Sequence, residues 1–370
     1  MTAVVNALRR TPLFEVHRDL GAKFTPFGGW EMPVYYSGII PEHMAVRNAC
    51  GIFDVSHMCP ISVEGPDALK VLQYICSNNV EKLGFRRVQY NLLCNERGGV
   101  VDDILLYRLG ESKFIVVANA SNAEKVKEWM ERYRAPQMEI TDLQPPHGIV
   151  SLQGPRCMDI LRHMNWEGLQ GLRKNDIHTV DFKGREMLVS RTGYTGSDGY
   201  EFLVPNEVAI DLWAALSKSG DGAIPSGLGA RDSLRTEAGL PLYGHEYSDD
   251  LSPIGTPFSW AIKLDKGNFV GRDALRKEKE VGPKYTLVGF TSDSRSIPRA
   301  GQKVFRGEDL SGVGMGWVSS GTFSPVLSQA IGFAFLEGGG CPQETPIFID
   351  VRGRAVRAII STPPFVGKRL

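Results

Sequence analysis

Residues 61–72 read Ile-Ser-Val-Glu-Gly-Pro-Asp-Ala-Leu-Lys-Val-Leu, and residues 150–161 read Val-Ser-Leu-Gln-Gly-Pro-Arg-Cys-Met-Asp-Ile-Leu. In each stretch a strand pattern ends at a glycine, and a proline then opens a helix pattern, where its missing N–H is not needed. This faint repeat predicts two related α+β modules. The alternative is that the Gly-Pro pair occurs twice by chance, and the residues alone leave both interpretations open.

The end of the chain has a different pattern. Beyond the charged, proline-ended stretch 277–284, where we expect a domain boundary, short β patterns cover residues 286–290, 313–319, 330–335, 347–351 and 355–360. Arg352-Gly353-Arg354 between the last two predicts a tight hairpin. We therefore expect an all-β tail that forms a small barrel or roll.

The composition limits the class of protein. The chain has 370 residues, with 42 basic and 42 acidic side chains, so we expect two or three domains and no general attraction to nucleic acid or an anionic membrane. Residues 310–336 carry no charge, but Pro325, Gln329 and several glycines favour two short strands over a spanning helix.

The cysteines and histidines predict neither disulfides nor a metal site. The six cysteines form no C-x-x-C pair and the seven histidines no H-E-x-x-H motif, so we expect reduced thiols and no metal. The first ten residues contain no apolar signal core. We expect a cytoplasmic protein, or a mitochondrial matrix protein if this is the mature form of a eukaryotic chain.

Residues 190–201, Ser-Arg-Thr-Gly-Tyr-Thr-Gly-Ser-Asp-Gly-Tyr-Glu, form a glycine-rich loop between two strand patterns. Tyr194 would lie at the loop tip and Glu201 would open the return strand. An aromatic face beside an acceptor for paired N–H donors suits a flat heterocycle with an amidine edge. The alternative, a long hairpin loop with an exposed tyrosine and a solvated glutamate, fits these residues equally well.

Two adjacent carboxylates enter a strand at residues 95–107. Strand alternation places Asp102 and Asp103 on opposite faces, so one of them lies among apolar neighbours. A buried carboxylate tends to have a partner, a raised pKa or a chemical role. The alternative is that both are turn residues that bind backbone N–H groups, which explains Asp102 better than Asp103.

Residues 226–239 resemble a glycine-rich entry to a helix. Arg231 and Arg235 are four residues apart, so they share a face and repel each other unless an anion lies between them, either Glu201 or a ligand carboxylate. Ordinary ion pairs with Asp232 and Glu237 are the alternative.

Other polar residues lie at the ends of strand patterns. Asn119 follows the strand pattern 114–118, and Ser121 with Glu124 predicts a capping box for the next helix. His57 and Met58 end another strand, where a lone histidine is more often structural than catalytic. The absence of G-x-S-x-G, P-loop and G-x-G-x-x-G motifs removes the usual support for serine hydrolases, P-loop NTPases and Rossmann dehydrogenases.

Together these segments closely resemble the T-protein (aminomethyltransferase) family of the glycine cleavage system. The matching motifs are R-T-P-L-F (10–14), F-G-G-W-E-M-P-V-Y-Y (27–36), F-D-V-S-H-M (53–58), C-N-E-R-G-G-V-V-D-D (94–103), S-R-T-G-Y-T-G (190–196), G-L-G-A-R-D-S-L-R-T-E-A-G-L (227–240) and S-S-G-T-F-S-P (319–325).

The resemblance implies an α+β, three-domain, cloverleaf-like folate-binding fold, with two interleaved α+β lobes and a C-terminal β-barrel. We expect residues 1–60 and 144–249 in the first lobe, 61–143 and 250–282 in the second, and 283–370 in the barrel.

The resemblance also implies a reaction. An aminomethyl group on the lipoyl arm of the H-protein would meet tetrahydrofolate, and the products would be ammonia, 5,10-methylenetetrahydrofolate and the dihydrolipoyl carrier. Glycine decarboxylase and dihydrolipoyl dehydrogenase would be functional partners. No metal, nucleic acid or membrane is implied.

The family motifs assign roles to residues here. Asp103 would be the essential carboxylate that orients the folate and helps to deprotonate its attacking nitrogen. Glu201 would bind the paired N–H donors of the pterin, and Tyr194 would pack on its ring. The remaining expected folate residues are Arg231, Asn119, Tyr90, Met58 and Tyr107.

The chain departs from the family pattern at three places. Ser197 stands where an acidic residue is usual, and Cys59 where many members have glycine. The C-terminus lacks the tyrosines of some relatives, and Lys368 or Arg369 could contact the folate tail electrostatically instead.

Two alternatives use a related scaffold. One is a tetrahydrofolate-dependent O- or S-demethylase, disfavoured because the segments around Asp103 and Tyr194 follow the aminomethyltransferase pattern. The other is a non-enzymatic folate-binding maintenance protein, whose K-G-C-Y-x-G-Q signature is replaced here by Lys-Gly-Asn-Phe-Val-Gly-Arg at residues 266–272, without the cysteine.

Overall fold

A computed structural model describes residues 7–294 and 296–367. The α-helices in these ranges are α1 (Phe14–Asp19), α2 (Ile39–Asn48), α3 (Ala68–Ile75), α4 (Ala123–Arg132), α5 (Cys157–His163), α6 (Asn206–Lys218), α7 (Leu228–Glu237) and α8 (Arg272–Val281). Lys368 and Arg369, the residues expected to contact the folate tail, lie outside the described residues.

The strands in the same ranges form a hairpin, two sheets and a barrel. They are β1 (Lys23–Phe27), β2 (Trp30–Tyr35), β3 (Gly51–Asp54), β4 (Cys59–Glu64), β5 (Arg87–Cys94), β6 (Val100–Arg108), β7 (Lys113–Ala118), β8 (Glu139–Asp142), β9 (His147–Gln153), β10 (Ile177–Phe182), β11 (Arg185–Ser190), β12 (Gly199–Pro205), β13 (Ile224–Pro225), β14 (Tyr285–Ser292), β15 (Lys303–Phe305), β16 (Gly316–Ser324), β17 (Gln329–Glu337), β18 (Pro346–Val351) and β19 (Arg354–Ser361).

The first sheet has the strand order β10-β11-β12-β9-β3-β13 and is antiparallel except for the short β13–β3 pair. Helices α5 and α6 cover one face, where Leu161, Leu212 and Trp213 pack against apolar strand residues. The loop 191–198 joins β11 to β12, as the sequence predicted. Glu201 therefore lies on β12, opposite Ser190 of β11.

The second sheet has the order β5-β6-β7-β4-β8 and is antiparallel throughout. Helices α3 and α4 cover one face with Leu72, Val126 and Met130. The chain leaves the first sheet after β3, forms the whole second sheet and returns at β9, which pairs with β3. The two lobes are therefore interleaved, as expected. The predicted lobe boundaries remain a prediction.

The sequence repeat corresponds to one local structure that occurs twice. β4 ends before Gly65 and α3 follows, and β9 ends before Gly154 and α5 follows. Both glycines have positive φ, +120° and +138°, and a Cβ on either would lie 2.2–2.3 Å from a backbone carbonyl oxygen of another segment. Pro66 and Pro155 lie in the turn before each helix instead of in its first turn, which corrects the prediction by one or two residues.

The faces of the two sheets that are not covered by helices pack toward each other. Ile115 and Val117 of β7 pack with Ile149 of β9, and partly buried residues at the edge of this cluster include Met58 and Tyr107. Alternation along the strands produces this second apolar face, because Phe114 and Val116 point to the helix-covered side. The space between the sheets holds the candidate site.

The C-terminal strands close into a barrel in the order β14-β17-β16-β15-β18-β19. Five of these strands were predicted, and Arg352 and Gly353 form the expected two-residue hairpin turn with φ of 55° and 79°. The uncharged run 310–336 supplies β16 and β17. Among the described residues, no helix is long and apolar enough to cross a membrane.

One local prediction was wrong. Asn122, not Ser121, precedes α4 as its N-cap, and Glu124 pairs with Lys127 (2.7 Å) instead of closing a capping box. The charged stretch 277–284 begins inside α8, which ends at Val281, and the first barrel strand begins at Tyr285, so the domain boundary expected there remains a prediction. The charges of this stretch occupy the solvent side of α8, while Leu275 is buried.

Candidate active site

Asp103 lies on β6 and is held by two side chains. The Tyr90 hydroxyl donates to Oδ2 of Asp103 (3.1 Å), and Nδ2 of Asn119 donates to Oδ1 (2.8 Å). Tyr90 reaches Asp103 from the neighbouring strand β5, and Asn119 directly follows the other neighbour, β7. Two predicted site residues, Tyr90 and Asn119, therefore bind the carboxylate of a third, Asp103.

Asp102 has a structural task on the opposite face of β6. It is fully buried and accepts hydrogen bonds from the Asn119 backbone N–H (3.0 Å), from Asn119 Nδ2 (2.9 Å) and from Asn122 Nδ2 (2.6 Å). The interpretation of both acids as turn residues is wrong, because both lie inside β6. Asp102 fixes Asn119, and Asn119 in turn contacts Asp103.

The electrostatics of this pair favour partial protonation. Burial and the nearby Asp102 charge together raise the pKa of Asp103 to about 7, although hydrogen bonds from Tyr90 and Asn119 oppose the shift. Burial also raises the pKa of Asp102. A carboxylate whose pKa is close to neutral pH is suited to accept and release a proton.

Glu201 ends a second chain of hydrogen bonds. Tyr107 of β6 lies 3.1 Å from the Ser190 hydroxyl, which lies 2.6 Å from the Thr192 hydroxyl, and Thr192 donates to Oε2 of Glu201 (2.6 Å). Oε1 of Glu201 accepts no hydrogen bond from the described residues. Asp103 and Tyr107 point to the same side of β6 and lie roughly 13 Å apart along that strand, so Asp103 and the hydrogen-bond chain from Tyr107 to Glu201 lie on one side of the sheet.

Tyr194 and Arg231 form the wall beside Glu201. The Tyr194 hydroxyl donates to the Pro241 carbonyl oxygen, and the Arg231 guanidinium lies 4.7 Å from the centre of the Tyr194 ring. Arg231 Nη1 is buried and has no hydrogen-bond partner among the described residues. Burial lowers the pKa of Arg231, and the Glu201 charge opposes this shift.

The prediction that Arg231 and Arg235 share an anion was wrong. Arg235 is fully buried and pairs with Asp232 (2.9 Å) and Glu246 (3.0 Å), while its Nη2 donates to the Ser320 hydroxyl (2.7 Å). Arg235 therefore joins α7 to the barrel, and only Arg231 has donors left for the space between the sheets.

His57 lies in the turn between β3 and β4, and the sequence interpretation did not select it for the site. Its Nδ1 is buried without a partner among the described residues, and the Phe27 ring packs edge-on against it at 5.6 Å. Burial and the Arg231 charge together lower the pKa of His57 to about 3. His57 is therefore neutral at physiological pH. Its place beside Met58 at the end of β3 was the only signal in the sequence.

A cavity adjoins the Glu201 end of the site. It is a small pocket between the two sheets, lined by Tyr107, Ile115, Val117, Ile149, Leu188, Ser190, Glu201 and Leu203. Met58 packs in the same inter-sheet cluster. The walls are apolar apart from Glu201 and the two hydroxyls, so one acid lies at the margin of an otherwise apolar cavity.

The two departures from the expected motifs are structural. Ser197 accepts a hydrogen bond from Nη1 of Arg47 on α2 (2.8 Å), at the start of β12 and away from Asp103. Cys59 is buried at the start of β4 with its Sγ 3.8 Å from Asp142, and burial raises the pKa of its thiol to about 12. Neither side chain contacts the predicted site residues.

Comparisons with known proteins agree along the whole chain. A family model described as the GCVT N-terminal domain matches residues 13–266, and one described as the glycine cleavage T-protein C-terminal barrel domain matches residues 286–367.

The chain is 43% identical over 363 residues to the aminomethyltransferase of Shouchella clausii, covering 97% of this chain and 98% of the relative. It is 45% identical over 373 residues to the aminomethyltransferase of Symbiobacterium thermophilum, covering 97% of each. Its structure resembles the crystal structure of glycine cleavage system aminomethyltransferase T from Bartonella henselae, with a TM-score of 0.91, 33% identity, and coverage of 97% and 98% of the two chains.

Proposed function

Because the chain belongs to the glycine cleavage T-protein family, we propose that its reaction takes place in the space between Asp103 and Glu201. The protein is a tetrahydrofolate-dependent aminomethyltransferase. It transfers the methylene carbon from the aminomethyl-lipoyl H-protein to tetrahydrofolate, which releases ammonia and yields 5,10-methylenetetrahydrofolate. The observation that carries the site proposal is that Asp103 on β6 and Glu201 on β12 come from the two facing sheets and border the space between them.

Asp103 is the proposed catalytic carboxylate. Its raised pKa, about 7, lets it take a proton from the folate nitrogen that attacks the methylene carbon and release that proton afterwards. Tyr90 and Asn119 keep its two oxygens in place, so little reorganisation is needed when the substrates meet.

Glu201 and Arg231 are the proposed pterin-binding pair. Oε1 of Glu201 and Nη1 of Arg231 both lack partners among the described residues, so they offer an acceptor and a donor to the hydrogen-bonding edge of a pterin ring. Tyr194 would contact the ring with its edge or its remaining face, because Arg231 covers the other face.

Met58 and Tyr107 would form the apolar floor of the same pocket. Both belong to the cluster between the sheets, and the Tyr107 hydroxyl continues the chain of hydrogen bonds to Glu201. Asn119 would contribute to the site by holding the Asp103 carboxylate in position.

The remaining proposals concern the setting of the reaction. Lipoylated H-protein is the carrier that the family implies, and we propose functional association with glycine decarboxylase and dihydrolipoyl dehydrogenase. We also propose a cytoplasmic location. Buried free thiols fit a reducing compartment, since Cys50 and Cys157 have Sγ atoms 3.2 Å apart and are unbridged.

The test supplies aminomethyl-loaded H-protein and tetrahydrofolate and measures ammonia and 5,10-methylenetetrahydrofolate. Both products should form in equal amounts, and omission of tetrahydrofolate should slow ammonia release. Demethylation of a methoxy or sulfonium compound without ammonia release would contradict the assignment and favour the demethylase alternative.

A further inference from the structure

Tyr247 lies behind the proposed catalytic carboxylate and has no role assigned so far. It is fully buried in the loop after α7, and its hydroxyl oxygen lies 3.5 Å from the hydroxyl oxygen of Tyr90. Tyr90 in turn lies 3.1 Å from Oδ2 of Asp103. The three oxygens therefore form a line that ends at Asp103.

The number of protons on these three groups determines which hydroxyl donates and which oxygen accepts. A hydroxyl has one proton to donate, and an ionised carboxylate can only accept. When Asp103 is ionised, Tyr90 gives its proton to Oδ2, so a hydrogen bond between the two tyrosines must be one that Tyr247 donates to Tyr90. The Thr256 hydroxyl is the other hydrogen-bond partner of Tyr247 and competes with Tyr90 for this proton. When Asp103 binds a proton, Oδ1 is already occupied by Asn119, so the proton resides on Oδ2 and both hydroxyls can reverse.

The Tyr247 ring is fixed from two sides. It packs in an apolar cluster with Leu92 and Val100, and the Phe258 ring meets it edge-on at 6.4 Å. The preceding residue, Glu246, accepts hydrogen bonds from Arg235 (3.0 Å) and from the Ser319 hydroxyl of the barrel (2.6 Å). The Tyr247 hydroxyl is therefore held in one position, even if the Tyr90 side chain rotates.

We propose that Tyr247 is a positioning residue whose hydroxyl directs the Tyr90 proton toward Asp103 and so helps to keep Asp103 ready to accept a proton. The inference rests on the proposed role of Asp103. The groups that act on Asp103 are Asp102 on its own strand, Tyr90 on β5, Asn119 after β7, Tyr194 in the β11–β12 loop and Tyr247 itself.

The test is the pH dependence of kcat/KM for Tyr247→Phe, measured as ammonia release from aminomethyl-loaded H-protein with tetrahydrofolate. The Tyr247 hydroxyl supports the hydrogen bond that favours ionised Asp103, so its loss should move the acid limb of the pH profile to higher pH. The shift should be only about half a pH unit, because the 3.5 Å contact is weak. At a pH below the limb, kcat/KM of Tyr247→Phe should be about threefold lower than that of the wild type. The pH at which the limb lies does not change with the fraction of folded enzyme, so a folding defect would not mimic this result.

Tyr285→Phe is the matched control, since it removes a hydroxyl in the barrel, where the Tyr285 ring packs on Trp317. Its profile should equal that of the wild type. A second comparison adds Tyr247→Phe to Tyr90→Phe. If Tyr247 acts through Tyr90, the limb should move no further.

Three results separate the outcomes. A Tyr247→Phe profile that overlays the wild type, or a shift that persists in the Tyr90→Phe background, would overturn the role of Tyr247. Full turnover in Asp103→Asn would instead overturn the proposed role of Asp103, on which the inference rests.

Discussion

Asp102 and Asp103 are adjacent in sequence and do different work because a strand sends them to opposite faces. Asp102 receives three hydrogen bonds from residues 119–122 and holds that turn. Asp103 faces the space between the sheets and receives one hydrogen bond from each of two site residues. The buried charge of Asp102 also raises the pKa of its neighbour, so the structural acid tunes the reactive one.

Asp103→Asn tests the catalytic role directly. The amide keeps the shape and can still accept from Asn119, so folate affinity in a calorimetric titration should remain close to that of the wild type. Turnover should fall by a factor of about 10²–10⁴, the usual contribution of a positioned base. Asp181→Asn is the control, because exposed Asp181 only accepts the Gly184 N–H (3.1 Å). Unchanged turnover would remove Asp103 from the mechanism.

The raised pKa of Asp103 predicts a pH profile. Only the ionised form accepts a proton, and burial together with the Asp102 charge raises this pKa to about 7. The kcat/KM should therefore be constant well above pH 7 and fall about tenfold per unit below it. A profile that stays flat down to pH 5 would show that no such group limits the reaction.

Glu201→Gln tests the pterin contact. The substitution keeps the Thr192 hydrogen bond within reach but removes the charge that strengthens bonds from N–H donors, so folate binding should weaken by about 1–3 kcal/mol. Glu186→Gln provides a comparison on the adjacent strand, since its side chain is exposed. Normal folate affinity of Glu201→Gln would refute this pairing.

Asp103 was expected from a quoted motif, and Tyr90 and Asn119 were expected from the family resemblance. The three side chains meet directly. Tyr247 lies 157 residues from Tyr90 in a loop with no motif of its own, so no local pattern could place its hydroxyl there.

At the level of the secondary-structure elements, the fold was predictable where periodicity is strong. Both strand–Gly–Pro–helix units, the β11–β12 loop and five barrel strands follow from apolar alternation and turn residues. The three-residue strand β15 is too short to show a period. The capping box failed because residues 120–122 form a 3₁₀ turn tied to Asp102, and that tertiary contact overrides local capping preference.

Gly154→Ala tests the repeated unit. Its φ of +138° disfavours any side chain, and a Cβ would lie 2.3 Å from the Ala49 carbonyl oxygen, so β9 and α5 would have to move away from the chain before β3. We expect a loss of about 3 kcal/mol in the free energy of unfolding, measured by urea denaturation. Gly171→Ala meets open space and should change stability by less than about 0.5 kcal/mol. Equal stability of the two variants would contradict this explanation.

In the whole molecule, α7 joins the lobes to the barrel through buried charges. Glu237 at its end accepts hydrogen bonds from His43 (3.0 Å) and Arg47 (2.9 Å) of α2 and from the Ser324 hydroxyl of β16. The backbone N–H of Phe365 in the C-terminal segment donates to the Glu237 carbonyl oxygen (2.8 Å). One fully buried carboxylate thus connects parts of the chain that are far apart in sequence.

Glu237→Gln should therefore destabilise the whole protein. Removing the charge leaves Arg47 and the other donors around a neutral group, and breaking a buried pair in this way costs about 3–5 kcal/mol in the free energy of unfolding. Chemical denaturation at pH 7 measures the loss. Glu124→Gln is the control, because Glu124 is 76% exposed in its pair with Lys127 and should contribute less than about 0.5 kcal/mol.

The pH dependence of stability separates a charge effect from a packing effect in this variant. Burial alone would raise the pKa of Glu237, but hydrogen bonds from His43 and Ser324 outweigh it and lower the pKa. The unfolded value is about 4.3, so this stabilisation is complete above roughly pH 5 and is lost as the pH falls through the folded value. Glu237→Gln should therefore lose less stability than the wild type between pH 5 and pH 3, and parallel stability curves would show that its charge does not join the lobes to the barrel.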